Sequence, residues 1–279
     1  MPPKCSRRPG RCDLYPVTSV ATAIRGALLT AEPRAKAMAA RAVARDWRLG
    51  RLAFAFDRPM PEQPAWPGRP ALLPPNRMPK RGKAGSERGR IALWHALAHI
   101  EFVAIDLALD MAGRFGSQMG RGFVTDFLAV AADEAMHFAL IARKLEHMGS
   151  GYGALPAHGG LWEAAAATEH DVGARLAVVP MVLEARGLDV TPSMLARVRE
   201  QGDERGARIL ERILDDEIRH VRIGSTHFAA WAERQGKSPE NLWKSLVKRY
   251  FRGSVKPPFN DSARVAAGLS PNAYRALAC

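Results

Sequence analysis

Two blocks of the chain, Asp133-Glu134-Ala135-Met136-His137 and Asp216-Glu217-Ile218-Arg219-His220, share the pattern Asp-Glu-x-x-His. A glutamate and a histidine three positions apart on a helix stand about 60° apart on one face, close enough to hold one metal ion together. A pair of metal ions held in a helical bundle needs two more carboxylates, one from each remaining helix. Glu101 and Glu184 supply them, each 33 residues before the glutamate of its block. An offset of 83 therefore carries Glu101 onto Glu184, Asp133 onto Asp216, Glu134 onto Glu217 and His137 onto His220. One Glu-x-x-His is a weak signal; two in matched register, each with its upstream glutamate, form a six-ligand set related by a pseudo-twofold axis.

Four carboxylates and two neutral imidazoles nearly balance two divalent cations, and oxygen and nitrogen donors suit iron or manganese better than a thiolate-seeking metal. The flanks of Glu101 ("HALAHIEFVAIDLA") and Glu184 ("VVPMVLEARG") are apolar. A carboxylate buried there needs a cation or a hydrogen bond. Asp133 and Asp216 read as acceptors for the second N–H of the metal-bound imidazoles, across the pseudo-axis. Arg219 reads as the cation that orients those aspartates. His95 and His99, four apart on a helix, fall on the side away from Glu101 and read as packing residues. His147, His158, His170 and His227 have no spacing that pairs them.

These residues need long helices to carry them. Apolar positions recur every three to four residues from 91 onward, and strand-like alternation is absent. One helix holds Glu101 and, after a turn at 116–122, a second holds Glu134 and His137. A third runs over about 161–186, kinked by Pro180. The "GLDV" stretch breaks it, and Thr191-Pro192 looks like a fresh helix start. A fourth covers about 204–234, and a shorter one lies near 239–251. The irregularity around Glu184 is expected to bulge that helix away from the metals and open a substrate or oxygen pocket.

The expected fold is all-α: a four-helix bundle with a crossover connection, an N-terminal helical segment, a Pro-rich wrapping segment and a short C-terminal helix. The boundaries are 1–56 for the basic N-terminal extension and 57–90 for the Pro/Arg-rich segment. The bundle spans 91–236, and the C-terminal helix and tail 237–279. Trp66 and the Ala-Leu-Leu at 71–73 offer anchors that favour wrapping over a free linker. The formal charge is +13, and all of it lies in residues 1–90, which hold 19 Lys+Arg against 6 Asp+Glu. Such an arm can meet nucleic acid, an anionic membrane or an acidic partner. Cys5, Cys12 and Cys279 form no CxxC pair, which points to a reducing, cytoplasmic setting. No transmembrane segment or secretory leader is expected.

The Asp-Glu-x-Arg-His form of the second block resembles the ferritin-like superfamily of dinuclear carboxylate proteins, whose oxygen-activating members carry it. Met136 departs from that form in the first block. "HALAHIE", "DEAMHF", "PMVLEARGLDVTP" and "ILDDEIRHV" more closely resemble the bacterial family catalogued as domain of unknown function 455, and more distantly the ferritin-like tRNA hydroxylase. The resemblance implies metal ligation by Glu101, Glu134, His137, Glu184, Glu217 and His220. It also implies two iron ions (manganese or a mixed pair as alternatives) and oxygen-activating oxidoreductase or hydroxylase chemistry. The substrate would be a small molecule or RNA, with a separate electron donor; a homodimer is compatible. The alternative is a non-enzymatic metal-binding or iron-handling protein.

Overall fold

The computed structural model describes residues 18–79 and 85–278. The three cysteines and seven of the cationic residues in the first ninety lie outside these. Among the described residues the protein is all-α, with only isolated β-bridges.

Helices α1 (Val20–Leu28) and α2 (Pro33–Arg48) come first. Ser19 caps α1, and Glu32 caps α2 by accepting from the Arg34 and Ala35 amides, with Pro33 in the first turn. The side-chain oxygen in each case satisfies amides that a helix start leaves unpaired. The long helices α3 (Glu87–Met119) and α4 (Arg121–His147) follow, and pack along their length. Gly120, at φ 94°, makes the reversal between them in a single residue. Short helices α5 (Gly160–Ala166) and α6 (Val172–Val178) lead into a π-helical segment, Val179–Glu184, and then α7 (Ala185–Glu200). Helix α8 (Glu204–Arg234) packs on α4, α6 and α7. Helices α9 (Pro239–Tyr250), α10 (Asp261–Ala266) and α11 (Pro271–Ala276) complete the chain. The 83-residue offset reaches the element boundaries, since it carries the start of α4 onto the start of α8.

Two local expectations need correction. The single helix expected over about 161–186 is interrupted at 167–171, between α5 and α6, where Asp171 caps the start of α6. The chain does not break at "GLDV" and restart at Pro192; α7 runs through both, with Pro192 inside it. Proline removes the amide that would bond to the carbonyl four residues back. That carbonyl, Leu188, accepts instead from the Asn260 side-chain amide at 3.1 Å. A segment about 70 residues away thus repairs the helix, and nothing local in the sequence reports it. By length and apolar content alone α3 is able to cross a membrane. Most of that apolar window is buried within the protein. Helix α3 also carries five buried polar side chains, His95, His99, Glu101, Asp106 and Asp110.

The N-terminal and Pro-rich segments wrap the long helices. Lys36 of α2 is fully buried, with its ammonium 2.5 Å from Asp106 of α3 and 2.9 Å from the Ala65 carbonyl. Trp66 donates its indole N–H to the same carboxylate at 2.9 Å and stacks edge-on against Trp162. Ala71 and Leu73 exchange backbone hydrogen bonds with Ala157. The C-terminal segment does the same on the opposite half. Asp189 of α7, buried, accepts a two-pronged bond from Arg264 at 2.7 and 2.8 Å and one from the Asn260 amide. The 83-residue offset carries Asp106 onto Asp189, so each half of the repeat has a buried aspartate five residues after its glutamate, clamped by a cation from a flanking segment. The continuous apolar core extends from α1 to α11.

Candidate metal centre

The six predicted ligands lie on four helical segments: Glu101 on α3, Glu134 and His137 on α4, Glu184 at the end of the π-helical segment, Glu217 and His220 on α8. Ligand atoms of Glu101, Glu134, His137 and Glu217 fall within 4.8 Å of one another, and all four side chains are buried. His220 joins them through Nδ1, 2.9 Å from Glu134 and 3.8 Å from Glu217. Glu184 lies beside this group and meets the charges of Glu217 and Glu134, but keeps part of its surface on the adjacent cavity. A buried carboxylate–imidazole group of this kind can bind a metal ion.

Each imidazole is turned the same way. His137 directs Nδ1 toward Glu101 and Glu134, at 3.3 Å each, and donates Nε2–H to Asp216 at 3.0 Å. His220 directs Nδ1 toward Glu134 and Nε2 toward Asp133 at 3.5 Å. Each histidine therefore leans on the aspartate of the other block. A proton held at Nε2 by an aspartate leaves the Nδ1 lone pair facing the glutamates, as a metal-binding imidazole requires. Arg219 spans both aspartates, at 2.6 Å from Asp133 and 3.3 Å from Asp216. Arg212 adds a second cation to Asp216 at 2.5 Å. Arg212 was not among the residues expected here, although its position four before Asp216 on one helix is the spacing of a paired side chain.

The electrostatics follow from burial and opposed charge. Burial raises Glu101 well above the usual carboxylate range and also raises Glu217. Glu184 is pushed to about 8, by burial first and by Glu217 and Glu134 second. Burial alone would raise Glu134 too, but the two imidazoles outweigh it and hold it low. His137 is driven to about 12, because its bonds to Asp216, Glu101 and Glu134 overcome the burial that disfavours its charge. Without a metal, then, protons shared between imidazoles and glutamates hold the carboxylates together. Glu134 Oε1, Glu217 Oε2 and both nitrogens of His220 are buried without an aligned hydrogen bond. Buried polar atoms rarely lack partners, and three of these, Glu134 Oε1, Glu217 Oε2 and His220 Nδ1, face one centre, where a cation fits as the missing partner.

The irregularity expected from the sequence is present. Pro180 sits in the π-helical segment, and Gly224 of α8 faces it so closely that a Cβ there would lie 2.4 Å from the proline ring. Beyond Glu184 a cavity of about 600 Å³ opens between α3, α7 and α8, floored by all four glutamates. His95 and His99 border it but act through the loop after α4. His95 Nε2 accepts from the Gly153 amide, while His99 bonds the Tyr152 hydroxyl and the His158 carbonyl. Burial holds His99 neutral, near 4.

An all-helical protein with a buried glutamate–histidine cluster is the class these features define. The chain matches the family described as "Protein of unknown function (DUF455)" over residues 29–275, and it belongs to that family. It is 43% identical over 212 residues to a protein of Haemophilus influenzae named only as uncharacterized, covering 74% of this chain and 73% of that one. No solved structure matches it.

Proposed function

We propose that the protein is a ferritin-like dinuclear carboxylate oxidoreductase. It would bind two iron ions through Glu101, Glu134, His137, Glu184, Glu217 and His220, with manganese or a mixed pair as the chemical alternatives. The observation that carries this reading is the crossed pairing: both imidazoles present Nδ1 to the glutamates and Nε2 to the aspartate of the opposite block. Bound iron would supply redox chemistry with dioxygen as the oxidant.

The protein's own part is positional. Asp133 and Asp216 fix the imidazole tautomers, and their bonds to His220 and His137 first, then to Arg219 and Arg212, hold those aspartates ionised. Glu184, partly exposed to the cavity, is the carboxylate placed nearest to where a substrate would lie. The mostly apolar walls exclude water from that face. A cavity floored by the four glutamates favours an enzyme over an iron-handling protein, which needs no such chamber. It favours a small molecule over RNA as substrate; RNA binding through the basic first third would weaken steeply with added salt. The electron donor is assigned to a separate protein.

The test is anaerobic loading with ferrous iron followed by oxygen. The reading expects oxygen uptake and a new visible or near-ultraviolet absorption band, both lost in Glu217→Ala. Oxygen uptake no faster than that of free ferrous iron would oppose it.

A further inference from the structure

Most of the cavity's lining runs in one direction away from the carboxylates, although Ala104 and Leu107 of α3 carry it past Glu101. Helix α3 contributes Ile100, Ala96, Ala92 and Arg88, running back toward its start. Helix α7 contributes Gly187, Val190 and Met194, running toward its end; α8 contributes Ile213 and Leu210. The cavity is thus a tunnel and not a bowl. Its outer end is marked by Arg88, thirteen residues before Glu101 on a single helix, a separation of about 20 Å.

The walls between are mostly apolar, with His95, His99 and Thr191 among the polar members, and Ile100 on this lining is 46% exposed. Two arginines border the tunnel, and they differ. Arg186, near the glutamates, is tied by Nη1 to the Lys256 and Pro258 carbonyls. Arg88 has no hydrogen-bond or ion-pair partner among the described residues, and it is exposed at the rim. Charge fixes the direction of a ligand: an anionic head meets a free guanidinium at the mouth and four glutamates at the floor.

We infer that the tunnel binds a long-chain fatty acid, its carboxylate on Arg88 and its distal carbons beside the four glutamates. An extended alkyl chain advances roughly 1.3 Å per carbon, so about 14–16 carbons span the distance. The volume falls within the roughly 300–1,000 Å³ of pockets that enclose a ligand of this size. This inference names the substrate class for the reading above and rests on it for turnover, but the binding it describes needs no metal.

Equilibrium dialysis of radiolabelled palmitate against the full chain, with hexadecanol as the uncharged comparison, tests it. Two variants separate the wall from the mouth. Gly187→Phe fills the tunnel; a Cβ at that position meets no atom within 4 Å, so the fold has room for it. Arg88→Glu reverses the mouth charge on an exposed side chain. The inference expects one palmitate per chain, lost in Gly187→Phe. It expects Arg88→Glu to weaken palmitate by about tenfold or more while changing hexadecanol little, as loss of one charge-assisted pair would. Absence of palmitate binding, palmitate binding unchanged in Gly187→Phe, or an Arg88→Glu effect equal for acid and alcohol, would each overturn it. Metal content measured on the same samples keeps the two readings apart. Palmitate bound to a chain that takes no metal upholds the tunnel and defeats the oxidoreductase, whereas a metal-loaded chain that ignores palmitate defeats only the fatty acid.

Discussion

Replacing Lys36 with methionine tests how the wrapping segment is fastened to the helix that carries Glu101. The substitution keeps most of the volume and removes the charge. Lys36 and Asp106 are both fully buried, and the ammonium has the Asp106 carboxylate and the Leu28 and Ala65 carbonyls as partners. The variant leaves a buried carboxylate with only the Trp66 indole against it. Breaking one side of a buried pair costs about 3–5 kcal/mol. For a domain of this size that is a melting-temperature drop of roughly 6–20 °C. The loss should depend on pH. Burial already raises Asp106 to about 6 with Lys36 in place, and removing Lys36 raises it further. The folded variant then binds a proton more tightly than the unfolded chain, whose aspartate titrates near about 3.9. Stability therefore falls as pH rises through that window and recovers as pH falls. Urea unfolding at about pH 8 and pH 5 should show a difference between variant and native protein that shrinks at the lower pH, and the Lys36→Met/Asp106→Leu double variant should regain most of the loss. A penalty below about 1 kcal/mol, or one that does not change with pH, would refute the assignment of this pair as a buried clamp.

Asp216→Asn keeps the shape beside His137 but removes the anion that fixes its proton; metal affinity measured against a chelator should fall by about 10–100-fold while the fold persists. Gly224→Ala sets a methyl 2.4 Å from Pro180, so thermal melts should show a loss of about 1–3 kcal/mol and, because His220 lies one turn away, weaker metal retention. Metal uptake should release protons, since Glu184 near 8 and the strongly raised Glu101 and His137 must give theirs up to ligate. Affinity should then rise with pH through the neutral range, by about tenfold per unit for each proton displaced, a slope read from chelator competition at several pH values.

The clustering of the candidate ligands could be read from the sequence because its geometry is built on helical periodicity. Glu134–His137 and Glu217–His220 share a face by spacing alone, and the 33-residue interval sets Glu101 and Glu184 at the same level. The crossed use of Asp133 and Asp216 follows from the same pseudo-symmetry. Pro180 announces its irregularity, though not that the outcome is a π-helical segment with Gly224 accommodating the ring. Pro192 misleads for the opposite reason: a distant Asn260 satisfies the carbonyl that proline leaves bare, so a tertiary bond overrides a local stop signal. Helix angle places His99 away from Glu101, but the loop after α4 folds over that face and draws it to the cavity's edge. The Lys36–Asp106 clamp and its counterpart, Arg264 with Asp189, are hidden from a local reading because their partners lie 70 and 75 residues apart.

The central claim is that six side chains hold two metal ions. Elemental analysis of the protein purified from cells, beside Glu134→Ala, tests it most directly. Glu134 sits between both imidazoles, so its loss removes a donor from each half. The account predicts about two iron or manganese ions per chain in the native protein and nearly none in the variant. Native protein with less than about one metal per chain, or a content that Glu134→Ala leaves unchanged, would contradict it.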